Sequence, residues 1–180
     1  MPYLAQQFED LGPCEVSYDG NVIGETVDNP DGGTHGGCNV QISQKFQETH
    51  RDQKGEDPHD EIITGQDVQV VCNFTGLSLE QLQGLVLGSK LSAGATDKEW
   101  SLENPVGTSL KDQAAVLILK PIIDGAATSN ADFWITANKA APKPNFDIPF
   151  SLKDQKVYAV TFRCFYDSNG KQLIIGKNTA

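Results

Sequence analysis

The fold class is decided by residues 66–75, which read Gln66-Asp67-Val68-Gln69-Val70-Val71-Cys72-Asn73-Phe74-Thr75 in a chain of 180 residues. Val68, Val70, Cys72 and Phe74 share one face of an extended segment, because successive side chains point to opposite sides. This period of two is typical of a strand with one face in the core. The opposite face then carries Gln69, Val71, Asn73 and Thr75.

A helix is predicted directly after this strand, over residues 78–87. Ser78 is a good N-cap, and Gln81 stands three residues later, where a capping box requires it. The apolar stripe consists of Leu79, Leu82, Leu85 and Val86. Gly88 supplies the stop signal.

The remaining apolar stretches are short and separated by turn residues, which favours an all-β domain around that helix. We predict a hairpin of 14–18 with 22–27, and a strand over 38–44 with Val40 and Ile42 on one face. Further strands are predicted over 115–120, ended by Pro121, over 133–136, and over 156–166; residues 140–144 are extended by their prolines. A turn at 167–170 leads to a last strand at 172–176, whereas 89–113 reads as mixed and turn-rich.

The length suits one domain with a substantial core. We predict a single mainly β domain over residues 13–177, preceded by an N-terminal arm, 1–12, and followed by a short end, 178–180. Residues 45–64 are highly polar and are predicted to form a long loop. Such a loop is either solvated or ordered by contact with a partner.

Composition excludes several functions. With 14 Lys+Arg against 24 Asp+Glu, the formal net charge is −10, and such a chain repels a phosphate backbone. No apolar run approaches the roughly 18 residues that span a bilayer, and residues 1–10 lack the pattern of a secretory signal. We therefore expect neither nucleic-acid binding nor a membrane partner.

The sequence also offers little for catalysis or metal binding. The cysteines, Cys14, Cys38, Cys72 and Cys164, contain no CxxC pair, and buried free thiols are favoured, although two disulfides are possible. Neither His35 with Cys38 nor the polar cluster around His59 has zinc-site spacing. Phosphate loops and GxSxG or HExxH motifs are missing. We expect no enzyme, no cofactor and no metal.

The segment from His35 to Leu87 carries a family resemblance. It runs from a His35-Gly36-Gly37 turn through a strand and a long charged hairpin with 52–55 near its tip. The step Ile62-Ile63-Thr64-Gly65 then enters the next strand, and Leu79 to Leu82 opens the helix. This order resembles bacteriophage tail tube proteins, as do the opening 12–20 and the closing 156–177. Residues 89–145 match the family least.

The resemblance implies a β-sandwich or half-barrel with one flanking helix, of which six copies form a ring and the rings stack into a tube. Residues 45–64 then make the contact between rings, and both termini reach neighbouring copies. The expected inter-ring residues are Phe46, Glu48, His50, Arg51, Asp52, Lys54, Glu56 and Asp57. The expected channel-facing residues are Asn39, Gln41, Ser43, Gln69 and Asn73, a choice that depends on strand parity.

The implied function is a virion structural protein, assembled in the host cytoplasm, whose tube conducts DNA during ejection. Its implied partners are other copies of itself, a tape-measure protein, baseplate or tip and tail terminator proteins, and a sheath if the tail contracts. DNA is then a transient cargo rather than a tight ligand.

Three alternatives differ from this function in cargo or in functional class. A secretion-type tube protein would move effectors through the same architecture. A monomeric β-sandwich decoration or adhesin module would instead present Trp100 or Trp134 as an exposed ligand platform, and a hydrolase would need a pocket with convergent titratable groups.

Overall fold

The computed structural model describes residues 13–26, 32–50, 58–93, 97–123, 125–145 and 156–176, without the side chains of His50, Pro58, His59 and Ala93. These residues form a mainly β fold with one α-helix, as predicted. None of their helices has the length and apolar content needed to cross a bilayer. The predicted termini, 1–12 and 178–180, lie outside the described residues.

The strands are β1 Cys14–Tyr18, β2 Asn21–Ile23, β3 Gly33–His50, β4 Pro58–Thr75, β5 Ser89–Ala93, β6 Lys98–Leu102, β7 Ala115–Ile123, β8 Ala126–Ala127, β9 Ile135–Pro144, β10 Tyr158–Cys164 and β11 Ile174–Ile175. The helix α1 spans Leu79–Leu85, and a short 3-10 helix spans Ala131–Phe133. One antiparallel sheet has the order β2-β1-β7-β9-β10-β4-β3, with β8 on β7 and β11 on β9. The hairpin β5–β6 is separate.

The core lies on one face of the large sheet. The predicted apolar face of β4, with Val68, Val70, Cys72 and Phe74, is fully buried, and this prediction is confirmed. It packs with Tyr158, Val160, Phe162 and Cys164 of β10, while Leu82 and Leu85 of α1 join the same cluster. The strand predicted over 156–166 ends earlier, at Cys164, and Tyr166 beyond it is half exposed.

The sheet curls, so that strands near its two ends approach each other. Tyr18 of β1 stacks at a tilt on Phe162 of β10, with ring centroids 5.3 Å apart. The backbone N–H of Cys38, on β3, donates a hydrogen bond to the thiol of Cys14, on β1. One apolar cluster thus takes residues from β1 and β4 alike.

The helix prediction is confirmed by its cap. The Ser78 hydroxyl accepts from the Gln81 N–H at 3.2 Å, and the Gln81 side chain accepts from the Ser78 N–H at 3.2 Å. Helix α1 ends at Leu85, two residues before the predicted end. Gly88 follows with a φ of +80°, and a Cβ there would meet Pro105 at 2.8 Å, so both conformation and space require glycine.

The predicted loop over 45–64 is wrong for residues 45–50 and 58–64, whereas 51–57 lie outside the described residues. Strand β3 continues to His50 and β4 begins at Pro58, and the two segments pair with each other. Phe46 lies opposite Ile63 and Glu48 opposite Glu61. Each segment satisfies the backbone hydrogen bonds of the other, so neither needs a buried face to be extended.

The cysteine prediction is partly wrong. Cys38 and Cys72 are joined by a disulfide, because their register places the two residues directly opposite, with Cα atoms 4.4 Å apart. Cys164 is a buried free thiol, as predicted, and Cys14 is free and half-buried. The disulfide was not predicted because it depends on the register between β3 and β4, which composition and cysteine spacing do not reveal.

Other strand boundaries also differ from the predictions. Strand β7 continues through Pro121, which has no N–H to donate to the carbonyl of Thr128 opposite. That carbonyl accepts a hydrogen bond from the Trp134 indole N–H at 2.9 Å instead, so the proline leaves no unpaired acceptor there. The turn-rich segment 89–113 contains the hairpin β5–β6. Residues 140–144, predicted to be extended by their prolines, form the end of β9 and pair with β10. Phe133, predicted to begin a strand, belongs to the 3-10 helix. The final strand, predicted over 172–176, is limited to Ile174–Ile175 and pairs with β9.

Candidate interaction site: the β-arm

The outer half of the β3–β4 pair forms a two-stranded arm, residues 42–50 and 58–66, which we call the β-arm. Nine residues of antiparallel strand extend about 30 Å. Every side chain is exposed from Gln41 to Glu48 and from Asp60 to Thr64. The inner halves of the same strands, by contrast, hold part of the core.

Apolar side chains continue the core face outward along the β-arm. Val40 and Val70 are opposite each other and pack in the core cluster, and Ile42 follows on the same face. Beyond it, Phe46 and Ile63 form a cross-strand pair on that face. Ile42, Phe46 and Ile63 are 57%, 56% and 55% exposed. A row of large apolar side chains in solvent is typical of a surface that contacts another molecule.

A β-bulge lies within the β-arm. Lys45 lies opposite Gly65, but the next residue, Phe46, lies opposite Ile63, so Thr64 has no counterpart. The Thr64 hydroxyl donates to the Lys45 carbonyl at 3.3 Å. Farther out, the Thr49 hydroxyl donates to the Asp60 carbonyl at 3.1 Å. The side chains thus support the register across the bulge.

Glutamines connect the base of the β-arm to the body. Gln44 donates to Gln66 at 3.1 Å, and Gln66 donates to Gln172 at 3.1 Å. Gln172, which is buried, donates in turn to the Cys164 carbonyl at 3.4 Å. This chain of three amides fixes the β-arm to the end of β10. Sequence reasoning missed it, because 106 residues separate Gln66 from Gln172.

The predicted inter-ring residues fall in two groups. Phe46 and Glu48 are exposed on the β-arm, and the backbone of His50 ends β3. Arg51, Asp52, Lys54, Glu56 and Asp57 lie outside the described residues. Sequence reasoning missed Ile42 and Ile63, although the pair Ile62-Ile63 inside a polar stretch was a visible signal.

The predicted channel-facing residues lie together on the sheet face opposite the core. Asn39, Gln41 and Ser43 are exposed on β3, while Gln69 and Asn73 are half-buried on β4. Their neighbour Asp67 accepts from the Gln69 amide at 2.5 Å and pairs with Arg163 at 3.3 Å. This face is polar and hydrogen-bonded.

The platform that a decoration or adhesin module would need is not built by the two tryptophans. Trp100 is half-buried against the core cluster. Trp134 is also half-buried, with its indole N–H on the Thr128 carbonyl and the Lys120 ammonium 5.2 Å from its ring centroid. Both side chains therefore serve packing within the described fold.

The described residues line two open grooves. One, of about 700 Å³, lies between the β1–β2 turn and α1 and contains the Glu80–Lys98 ion pair. Among the described residues, no three His, Cys, Asp or Glu side chains converge as a metal site.

Comparison with known proteins adds no family: no family model matches the chain, and no curated protein matches it.

Proposed function

We propose that this protein is a structural subunit that assembles into stacked hexameric rings, forming a phage tail tube that conducts DNA during ejection. The observation that carries the proposal is the β-arm, whose apolar face is uncovered in the single chain. The resemblance of residues 35–87 to tail tube proteins supports the same role.

Burial of the β-arm supplies a driving force for assembly. Fully burying a large aliphatic or aromatic side chain contributes roughly 1.5–3 kcal/mol. Ile42, Phe46 and Ile63 are each a little over half exposed, so covering them contributes about 1 kcal/mol per residue. Repeated in every copy of a ring, this contribution is enough to bias the equilibrium strongly towards stacking.

An open sheet edge supports ring closure. In the described residues, β3 pairs with β4 along one side, and the sheet order ends at β3. A terminal strand of a sheet promotes pairing with another chain, and closed rings remove such edges. The edge of β3 in one copy therefore suits a contact with the next copy.

The charge of the chain fits DNA as a passing cargo. Six copies at −10 each give a ring a formal charge of −60. A ring of this net charge disfavours adhesion of the phosphate backbone. The polar face with Asn39, Gln41 and Gln69 is our candidate for the channel wall. A tape-measure protein would occupy the channel before ejection, and the terminator, the tip and any sheath would contact the outside and the ends of the tube.

Negative-stain microscopy of the purified protein tests the proposal. We expect rings or tubes of fixed bore. Phe46→Asp, which places a charge on the apolar face of the β-arm, should raise the concentration needed for assembly at least about tenfold. Leu102→Asp is the matched control, because Leu102 is equally exposed on β6, away from the β-arm. Uniform monomers of the wild type at high concentration, or unchanged assembly of Phe46→Asp, would contradict the proposal.

Shortening the β-arm separates folding from assembly. Replacing residues 47–62 by Asn-Gly joins the facing residues Phe46 and Ile63 through a two-residue turn. The described side chains among them, at 47–49 and 60–62, are outside the core, so the free energy of unfolding should change by no more than about 1 kcal/mol. Tube growth should be lost, as judged by microscopy beside a thermal unfolding curve. A shortened protein that still forms normal tubes would exclude the β-arm as the stacking element.

A further inference from the structure

Three of the four cysteines meet where the curled sheet brings β1 near β3. Cys38 and Cys72 form the disulfide between β3 and β4. Cys14 is a free thiol on β1, and its sulfur accepts a hydrogen bond from the backbone N–H of Cys38. The free thiol therefore lies beside the backbone of Cys38, one of the two disulfide residues.

The site is accessible from one side. Cys14 lines an open cavity of about 620 Å³, together with Glu15, Glu25 and Thr34. Cys72, in contrast, is fully buried in the core. A small thiol or disulfide reagent can thus approach Cys14, while Cys72 is shielded behind the sheet.

We propose that Cys14 is an exchange thiol for this disulfide, so that the cross-link moves within one chain from Cys38–Cys72 to Cys14–Cys38. The Cys14 thiolate attacks Cys38 Sγ; the Cys14–Cys38 bond forms as the Cys38–Cys72 bond breaks. Cys72 leaves as a thiolate and takes up a proton, which balances the proton that Cys14 lost. The exchange is redox-neutral and needs no co-reactant.

The exchange changes what the disulfide holds together. Cys38–Cys72 joins two strands that are already neighbours in the sheet. Cys14–Cys38 would join β1 to β3, two strands that do not pair, and would close the curled sheet across its opening. The inference is independent of the proposed tube, since it concerns a single folded chain.

The surroundings of Cys14 set the pH at which exchange proceeds. Burial raises the pKa of the Cys14 thiol above its ordinary value, and the Cys38 N–H offsets part of that rise. The carboxylates of Glu15 and Glu25 line the same cavity, and Glu15 is paired with Lys120 at 2.9 Å. Because only the thiolate attacks, the exchange rate should rise about tenfold per pH unit between pH 7 and 9.

The decisive experiment removes Cys72, the sulfur that competes with Cys14 for Cys38. Cys72→Ser, reduced and then treated with oxidised glutathione, should form the Cys14–Cys38 disulfide, with two glutathione molecules released as thiols. Peptide mapping by mass spectrometry identifies the product. Mixed disulfides with glutathione at Cys14 or Cys38, without the internal bond, would overturn the inference.

The wild type provides a second test that does not depend on the variant folding. Oxidised protein incubated at pH 9, then acid-quenched and alkylated, should contain both isomers in a ratio independent of protein concentration. Cys164→Ser is the matched control: Cys164 lies opposite Val68, four residues along β4 from Cys72 and roughly 13 Å away, so the ratio should not change. A wild type with only Cys38–Cys72 and alkylated Cys14 would count against exchange.

Discussion

Phe74 and Phe46 lie in the same strand pair, on the same face, and have opposite environments. Phe74, at the inner end of β4, is fully buried under the helix and the other strands. Phe46, on the β-arm, is 56% exposed. Strand pairing thus continues through both halves, while tertiary cover exists in only one. The inner half stabilises the fold, and the outer half has its apolar surface left for another molecule.

The largest expected effect distinguishes these two phenylalanines. Phe74→Ala should lower the free energy of unfolding by about 3–5 kcal/mol, because it leaves a cavity in a packed core. Phe46→Ala should change it by about 0.5 kcal/mol or less in the monomer. Denaturant unfolding of both variants at low protein concentration measures the difference. Equal losses would show that the β-arm is part of the monomer core and would end the comparison.

A smaller effect is expected where the two regions join. Gln172→Met removes the buried amide that accepts from Gln66 and donates to the Cys164 carbonyl. The loss should be about 1 kcal/mol in unfolding free energy, with faster hydrogen exchange in residues 44–48 and 61–66.

The control for this joint is Gln41→Met, on the exposed face opposite the core, which should leave exchange in the β-arm unchanged. If Gln172→Met also left that exchange unchanged, the amide chain would not be what fixes the β-arm to the body.

The smallest effect lies in the body, at the turn after β10. The Asn138 amide, at 2.7 Å, and the backbone N–H groups of Lys171 and Asn169 lower the pKa of Asp167 below its ordinary value. A depressed folded pKa means that this stabilisation is complete above the ordinary pKa of about 3.8 and disappears as the pH falls through the folded value.

Unfolding curves between pH 2 and 6 should therefore show a loss of stability below about pH 4 that is weaker in Asn138→Ala. An identical pH profile in the variant would show that the Asn138 contact does not hold the carboxylate. Glu80 also has a lowered pKa, because of Lys98, so the comparison is best made in a Glu80→Gln background.

The sequence predicted those parts of the fold in which local pattern and burial agree. The β4 face from Val68 to Phe74 and the capping box at Ser78 were visible because alternation reports a buried face and capping is local. The strands of the β-arm were missed, since alternation is weak where neither face is buried. The Cys38–Cys72 bond and the Gln66–Gln172 contact depend on register and topology, which one sequence does not reveal.

The bulge at Thr64 changes which residues of β4 lie on the core side of the strand. Inside it, even-numbered residues such as Val68 point to the core; outside it, the odd-numbered Ile63 and Glu61 share that side with Phe46 and Glu48. The strand therefore changes phase at one residue, and a bulge also bends and twists the strand that contains it. Deleting Thr64 alone would keep every cross-strand partner of the β-arm and alter only the direction in which it points.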